Sequence, residues 1–431
     1  MARQRSDNGA AKYSWPLVDA INVKGFKSIA ERQRMEIRPF TILAGANSSG
    51  KSSMMQPALL MKQTLESPYD PGPLRIDGPN VKLAGFDQLF WNTGIERGRS
   101  IEVGFESPND ARVTSTFQRT EGGVEIEKQE VSHSGIRYTV RSPMTARDTR
   151  VVRQQLDNPK AELSVVRDRC FLSVVDLRSS PPNSLGVAYT FQEFLLNLIH
   201  LPGLRPRSGE RRFPRAGIIK AFPGTFDDYF ATVLNHWSRS KGEELACVGR
   251  DLEMLGLTWK VDVEEVSDTE LSIRVGRLPH AASRRANDMV NMADVGFGVS
   301  QALPVIVALW AAKPGDTVYI EQPELHLHPN AQVRLASVLS EAAKRGVRVI
   351  AETHSSLLLL GVQTLVANGD LKPDLVKLHW FQRDKRGATS ITSADLDNKG
   401  AFGEWPEDFD QVELESDRRY LDAVGHRSSP R

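Results

Sequence analysis

The run Gly45-Ala-Asn-Ser-Ser-Gly-Lys-Ser52 has the spacing of a complete phosphate-binding loop, Gly-x-x-x-x-Gly-Lys-Ser. Each residue type has a job there. The glycines let the backbone turn tightly, so that N–H groups and the positive end of the following helix face an anion. In this pattern Gly45, Asn47, Ser48, Ser49, Gly50 and Ser53 cradle the phosphates. Lys51 reaches the β- and γ-phosphates, and the Ser52 hydroxyl sits on Mg²⁺. The loop alone implies a nucleotide without saying which one.

Three further groups carry chemistry. Thr317-Val-Tyr-Ile-Glu-Gln-Pro-Glu324 is an apolar strand that ends in an acid. In phosphate-loop enzymes the strand beside the loop ends in a carboxylate of the Mg²⁺ site, and Glu321 suits that place. Asp294-Val-Gly-Phe-Gly-Val-Ser-Gln301 is a glycine-rich turn that opens a helix, a second element suited to an anion. Val349-Ile-Ala-Glu-Thr-His354 delivers a histidine to the end of another strand. Ligands of open α/β sheets bind outside the carboxyl ends of the strands, so these polar tips are expected on one edge.

The elements that must hold these groups are legible from periodicity. A strand over 40–43 precedes the loop and a helix over 51–62 follows it. Strands over 18–23 and 34–37 flank them, and 101–105, 113–118, 124–132 and 136–140 alternate as an antiparallel meander. Residues 141–157 are charged and read as a mobile loop or solvated helix. Helical runs are expected over 191–200, 226–237 and 243–255, and a strand pair over 258–263 and 270–275. From 298 the order is helix (298–311), strand (317–321), helix (330–345), strand (347–351), the alternation of a parallel α/β sheet. The division expected is an N-terminal lobe over 1–140, an inserted region over 141–290, a second lobe over 291–395 and a short terminal module over 396–431.

Composition narrows the class. The 431 residues carry a net charge of +1, so no global field calls for a nucleic-acid partner. Two cysteines, Cys170 and Cys247, are too few for a disulfide scaffold or a cysteine zinc site. The longest apolar run, 302–312, is too short to span a bilayer, and residues 1–12 are polar, unlike a secretory signal. A cytoplasmic protein is expected.

Taken in order, loop, long insertion, glycine-rich signature, Glu321-Gln-Pro-Glu-Leu-His-Leu-His-Pro329 and Glu352-Thr-His-Ser355 resemble the ABC-type ATPase heads of the SMC, RecF and OLD group. The likeness is greatest to stand-alone bacterial ATPases described as AAA-family. Ile21-Asn-Val-Lys-Gly-Phe-Lys-Ser28, Leu201-Pro-Gly-Leu-Arg205 and Leu396 to Phe409 add to it. The resemblance implies ATP and Mg²⁺ as cofactors and two heads sandwiching two ATP molecules. It places Glu321 as the metal-site acid and His354 as the switch histidine. Gly296, Gly298, Ser300 and Gln301 fall in the signature that contacts the γ-phosphate of the opposite subunit. Residues 325–329 fall in the loop that crosses the dimer interface.

The chain departs from that pattern at Gln322, where a catalytic carboxylate is expected. An amide accepts no proton in this role, so either Glu324 activates water or turnover is slow and binding does the signalling. Ser300 also misses the usual signature serine, whose place falls on Gly296. The glutamine that senses Mg²⁺ has no clear match, and Gln88 is the candidate. His326 and His328 make an H-x-H pair better suited to the interface loop than to a metal. The basic runs 205–215 and 277–285 are candidate DNA contacts or solvated faces, and Arg205 could instead line the nucleotide site.

The leading expectation is a nucleotide-gated homodimer or larger assembly serving a separate effector, such as a nuclease in anti-phage defence. A RecF-like repair ATPase that binds DNA directly is the alternative. A transporter subunit is disfavoured by the insertion of about 240 residues between loop and signature, and a scaffold without turnover is kept open by Gln322.

Overall fold

The computed structural model describes residues 18–93, 98–155, 162–178, 183–185, 188–205, 213–214, 221–280 and 288–403. The chain is α/β, with a six-stranded antiparallel sheet and a six-stranded, mostly parallel sheet as its two largest β layers.

Elements of the mostly parallel sheet are numbered in chain order. They are β1 (Phe40–Gly45), β2 (Ile199–Leu201), β3 (Thr317–Glu321), β4 (Arg348–Thr353), β5 (Val376–Arg383) and β6 (Thr389–Ala394). Across the sheet they run β2-β3-β4-β1-β5-β6, and only the β5–β6 pair is antiparallel. The helices that matter for the site are α1 (Lys51–Leu65), α2 (Phe297–Ala311), α3 (Pro329–Lys344) and α4 (Ser356–Ala367).

Side chains alternate across this sheet, as strand geometry dictates. Ile42, Ala44, Val318, Ile320, Val349, Ala351 and Leu378 enter one core with α2, α3 and α4. Leu43, Tyr319, Ile350 and Phe381 enter a second core with α1 and the antiparallel sheet. Both faces are covered, which is why β1 reads as a continuous apolar run. The α2 run 302–309 is buried along its whole length, so it too reads as uniformly apolar.

The antiparallel sheet takes the expected strands, with Ala20–Lys24 and Gln33–Glu36 joined to the meander between Ser100 and Arg141. The charged stretch after it contains a helix, Ala146–Gln155.

The apolar run 191–200 is where the structure departs most from the periodicity. Its helix stops at Asn197, and Ile199–Leu201 becomes β2, pairing in parallel with β3. An open edge of a buried sheet outweighs helical propensity at these residues. One strand of the parallel sheet therefore comes from the segment expected to be an insertion. The strands Leu163–Asp168, Phe171–Asp176, β5 and β6 were not anticipated. Among the described residues, no helix is long and apolar enough to cross a membrane.

Candidate nucleotide site

The loop between β1 and α1 is shaped by backbone conformation. Gly45 and Gly50 have φ of +146° and +105°, and Ser48 is left-handed as well. A side chain at Gly45 would strike the Phe381 carbonyl, and one at Gly50 would strike Thr389 Oγ1. Thr389, at the start of β6, braces the loop: its hydroxyl donates to the Ser49 carbonyl at 2.8 Å and accepts from the Ser28 hydroxyl at 2.8 Å. Helix α1 begins at Gly50 with no side-chain cap and no acid in its first turn. Its first N–H groups carry the positive end of the helix dipole unopposed.

Lys51 is buried. Its ammonium donates to the carbonyls of Gly45 (3.0 Å) and Ala46 (2.9 Å) and to His354 Nδ1 (3.4 Å). An ammonium has no lone pair, so Nδ1 is the acceptor here. Burial lowers the Lys51 pKa against the opposing charges of Glu352 and Glu324. Burial, then the charge of Lys51, lowers that of His354. Both effects favour a neutral imidazole at the end of β4.

The strand order corrects one expectation. The strand beside β1 is β4, not β3, so the acid nearest the loop is Glu352 rather than Glu321. Ser52 Oγ donates to Glu352 Oε1 at 2.9 Å, and Tyr319 OH donates to Oε2 at 2.8 Å. Burial, then the charge of Glu321, raises the Glu352 pKa. Glu321 is held instead by His200 Nε2 (3.3 Å) and the Gly203 N–H (3.2 Å). Burial pushes its carboxyl upward, but the His200 bond and charge, with Gly203 and Arg205, outweigh that and hold it below the usual range. His200 stacks on Tyr319 and also meets Asn80 Oδ1 at 3.1 Å. Neither His200 nor Glu352 stood out in the sequence, although Leu201 to Arg205 marked the segment that carries the histidine.

Gln322 has φ of +46° and gives its N–H to the Glu352 carbonyl at 2.7 Å, which turns the chain sharply after β3. The turn carries Glu324 back under β4. Glu324 Oε1 accepts from Thr353 Oγ1 (2.7 Å) and the His354 N–H (2.9 Å). Its Oε2 is buried without a partner.

The signature residues open α2, whose N-cap is Gly296, again without a side-chain cap. Gly298 lies beside Leu257 and the 326–327 backbone and side chains, so the signature packs against the expected interface loop of its own chain. Phe297 is exposed. Ser300 is buried and donates to the Phe297 carbonyl at 2.9 Å, within its own helix. Gln301 is also buried.

Gln88 is exposed, and its Oε1 accepts from the Ala84 N–H within its own turn. His328 caps α3 by accepting from the Asn330 N–H, and His326 lies against Phe297 with ring centroids 5.8 Å apart. Arg205 is buried rather than offered to a partner. It donates to the carbonyls of Glu321 (2.8 Å) and Gln301 (3.4 Å), tying β3 to the signature helix. Its Nε has no partner, nor has either carboxylate oxygen of nearby buried Asp227. Burial pushes Asp227 up to about 7 against the charge of Arg205. Residues 206–212, 281–287 and 404–409, parts of the basic runs and the terminal module, lie outside the described residues.

The site fits Mg²⁺·ATP. An uncapped glycine loop, a lysine beside it, the Ser52 hydroxyl and an orphaned carboxylate oxygen lie on one sheet edge. Ser52 would hold the cation with acids of β3 and β4 behind it, and the cation would neutralise phosphate charge.

Residues 255–360, which include Gly296 to Gln301, β3 and His354, match the family described as AAA domain, putative AbiEii toxin, Type IV TA system. No curated protein matches the chain. Among solved structures, the chain is similar to an SMC head bound to the C-winged helix domain of ScpA, at 14% identity and TM-score 0.48 over 89% of this chain and 98% of that one. It is similar to the SMC head domain from Thermotoga maritima, at 13% identity and TM-score 0.41 over 87% and 98%. A third is the Smc head domain with an extended coiled coil bound to the C-terminal domain of ScpA from Pyrococcus furiosus, at 12% identity and TM-score 0.47 over 95% and 99%.

Proposed function

We propose that this chain binds and hydrolyses ATP as an ABC-type ATPase of the SMC/OLD kind, with its nucleotide state gating contact between two copies and a separate effector. The observation that carries the hydrolytic part is Glu324. One of its oxygens is fixed by Thr353 and His354, and the other is buried and unpaired. That is the state of a general base held for a water.

In this reading Lys51 leaves the Gly45 and Ala46 carbonyls and turns to the β- and γ-phosphates. The loop N–H groups and Ser52 position the phosphate chain. Glu324 Oε2 takes a proton from the attacking water as its oxygen bonds to the γ-phosphorus, and the bond from phosphorus to the β–γ bridging oxygen breaks. His354, linked to Lys51 at one end and to Glu324 through its N–H at the other, reports the γ-phosphate to β4. Gln322, whose backbone shapes the turn, orients rather than deprotonates.

The uncapped start of α2 supports contact in trans with a second copy, as does exposed Phe297 beside it. The anti-phage role draws on the family description, which names a toxin of a toxin–antitoxin system, and the nuclease-like effector is part of the same proposal. This is an analogy of family, carried by residues 255–360.

A second reading, direct DNA binding, has one observation in its favour. A cavity of about 860 Å³ on the antiparallel sheet is lined by Arg32, Arg112, Arg141 and Arg147, beside Glu106 and Asp148. Several of these charges pair with one another or with neighbours, including Arg32 with Glu102 and Arg141 with Asp148. Affinity for duplex DNA that falls steeply with salt and is lost in Arg112→Ala/Arg147→Ala would favour it.

The first reading is tested by titrating ATP and Mg²⁺ into the wild-type chain and following phosphate release. Saturable binding with turnover supports it. Absence of both removes it.

A further inference from the structure

Two carboxylates end neighbouring parallel strands at the same level, since Glu321 and Glu352 are register partners. Glu352 is in turn the register partner of Leu43 on the loop strand. Of the two acids, Glu352 is the one bonded to Ser52, through a 2.9 Å hydrogen bond to Oε1. Its other oxygen is fixed by the phenol of Tyr319, which is fully buried. Glu321 spends its oxygens on His200 and the Gly203 N–H.

A serine that coordinates a cation does so through an oxygen lone pair, and its proton then needs an acceptor. A fixed acceptor for that proton aims the lone pairs elsewhere, toward the cation. We infer that Glu352, clamped by Tyr319, is the positioning residue that orients the Ser52 hydroxyl for the divalent cation, the duty expected of Glu321. Glu321 instead organises the far side of the site, where it joins β3 to His200 and the turn at Gly203. The inference rests on the proposed binding of Mg²⁺·ATP by this loop.

The two acids therefore separate in a metal titration. Free Mn²⁺ is followed by its electron paramagnetic resonance signal as it is added to the full chain saturated with a non-hydrolysable ATP analogue. Nucleotide affinity is measured separately in EDTA. Outer partners of metal ligands typically contribute about 10- to 100-fold in metal affinity. Glu352→Gln is expected to weaken Mn²⁺ binding by that amount while leaving metal-free nucleotide affinity unchanged. Tyr319→Phe, which keeps the carboxylate and frees one oxygen, is expected to weaken it a few-fold. Glu321→Gln is expected to cost less than Glu352→Gln.

Wild-type Mn²⁺ affinity in a folded Glu352→Gln, or a larger loss in Glu321→Gln, would overturn the inference. If Glu352→Gln does not fold, Tyr319→Phe decides, and unchanged Mn²⁺ affinity there counts against it. Failure of the wild-type chain to bind nucleotide even in EDTA would overturn the underlying functional reading, and this inference with it.

Discussion

The two ends of the sheet's carboxyl edge differ in how their polar groups are satisfied. At the loop end, Lys51 finds three acceptors and Thr389 ties β6 to Ser28 and the loop backbone. At the acid end, Glu324 Oε2, Arg205 Nε and both oxygens of Asp227 are buried without partners. Unmet buried polar atoms cost roughly 1–3 kcal/mol each and are uncommon in native proteins. Among the described residues, the loop has one such atom, Ser49 Oγ, against four at the acid end. In the proposed function the loop end binds and the acid end reacts.

The largest expected effect breaks the loop end alone. Lys51→Ala removes the charge that meets the β- and γ-phosphates, and ATP affinity should fall by about 10²-fold or more. Wild-type affinity in a calorimetric titration would remove the loop from the site.

Asp227 sharpens the other side. Burial raises its carboxyl to about 7 in the folded chain, above the ordinary 3.8 that applies when unfolded. The folded state therefore holds the extra proton between those values. Stability from this group is fullest below about 4 and falls as pH rises toward 7, by about 1.4 kcal/mol per pH unit across the window. Asp227→Asn should flatten that part of the profile and raise stability at pH 8, by urea unfolding at several pH values. An unchanged profile would place the Asp227 carboxyl in a solvated setting.

A smaller effect is expected at the signature. In Gly298→Asp the new side chain meets the flexible end of Leu257, so the fold is retained. Its carboxylate opposes a γ-phosphate presented in trans, and ATP-dependent self-association should weaken by about 10-fold. Unchanged sedimentation with ATP and Mg²⁺ would count against contact through α2.

Smallest of all is Gln322→Ala, which keeps the backbone N–H bonded to the Glu352 carbonyl and should slow turnover only a few-fold. A loss larger than that of Glu324→Gln in a turnover assay would make Gln322 the water-positioning residue, as a glutamine is in some GTPases.

The same contrast explains what the sequence disclosed. The loop end comes from one contiguous run, Gly45 to Ser52, so spacing alone reveals it. Glu321 ends an apolar strand, His354 directly follows one and Glu324 lies in the turn after one, and they are legible for that reason. The order of strands is a long-range property that local spacing does not carry, so neither the neighbour of β1 nor the place of Glu352 is legible in the sequence. His200 was hidden because its three-residue strand continues a helical run, and only the waiting edge of β3 makes it a strand. Arg205 opens a basic run, yet two carbonyl acceptors hold it inside. Gln88 has only its residue type in its favour, with no spacing to anchor it.

The division into a binding end and a reacting end is tested most directly by measuring ATP affinity and single-turnover hydrolysis on Lys51→Ala and Glu324→Gln together. The account predicts a crossed result. Lys51→Ala loses affinity, while Glu324→Gln binds ATP as the wild type does and hydrolyses it about 10²-fold more slowly. Hydrolysis at the wild-type rate in Glu324→Gln, or equal loss of affinity in both variants, would contradict it.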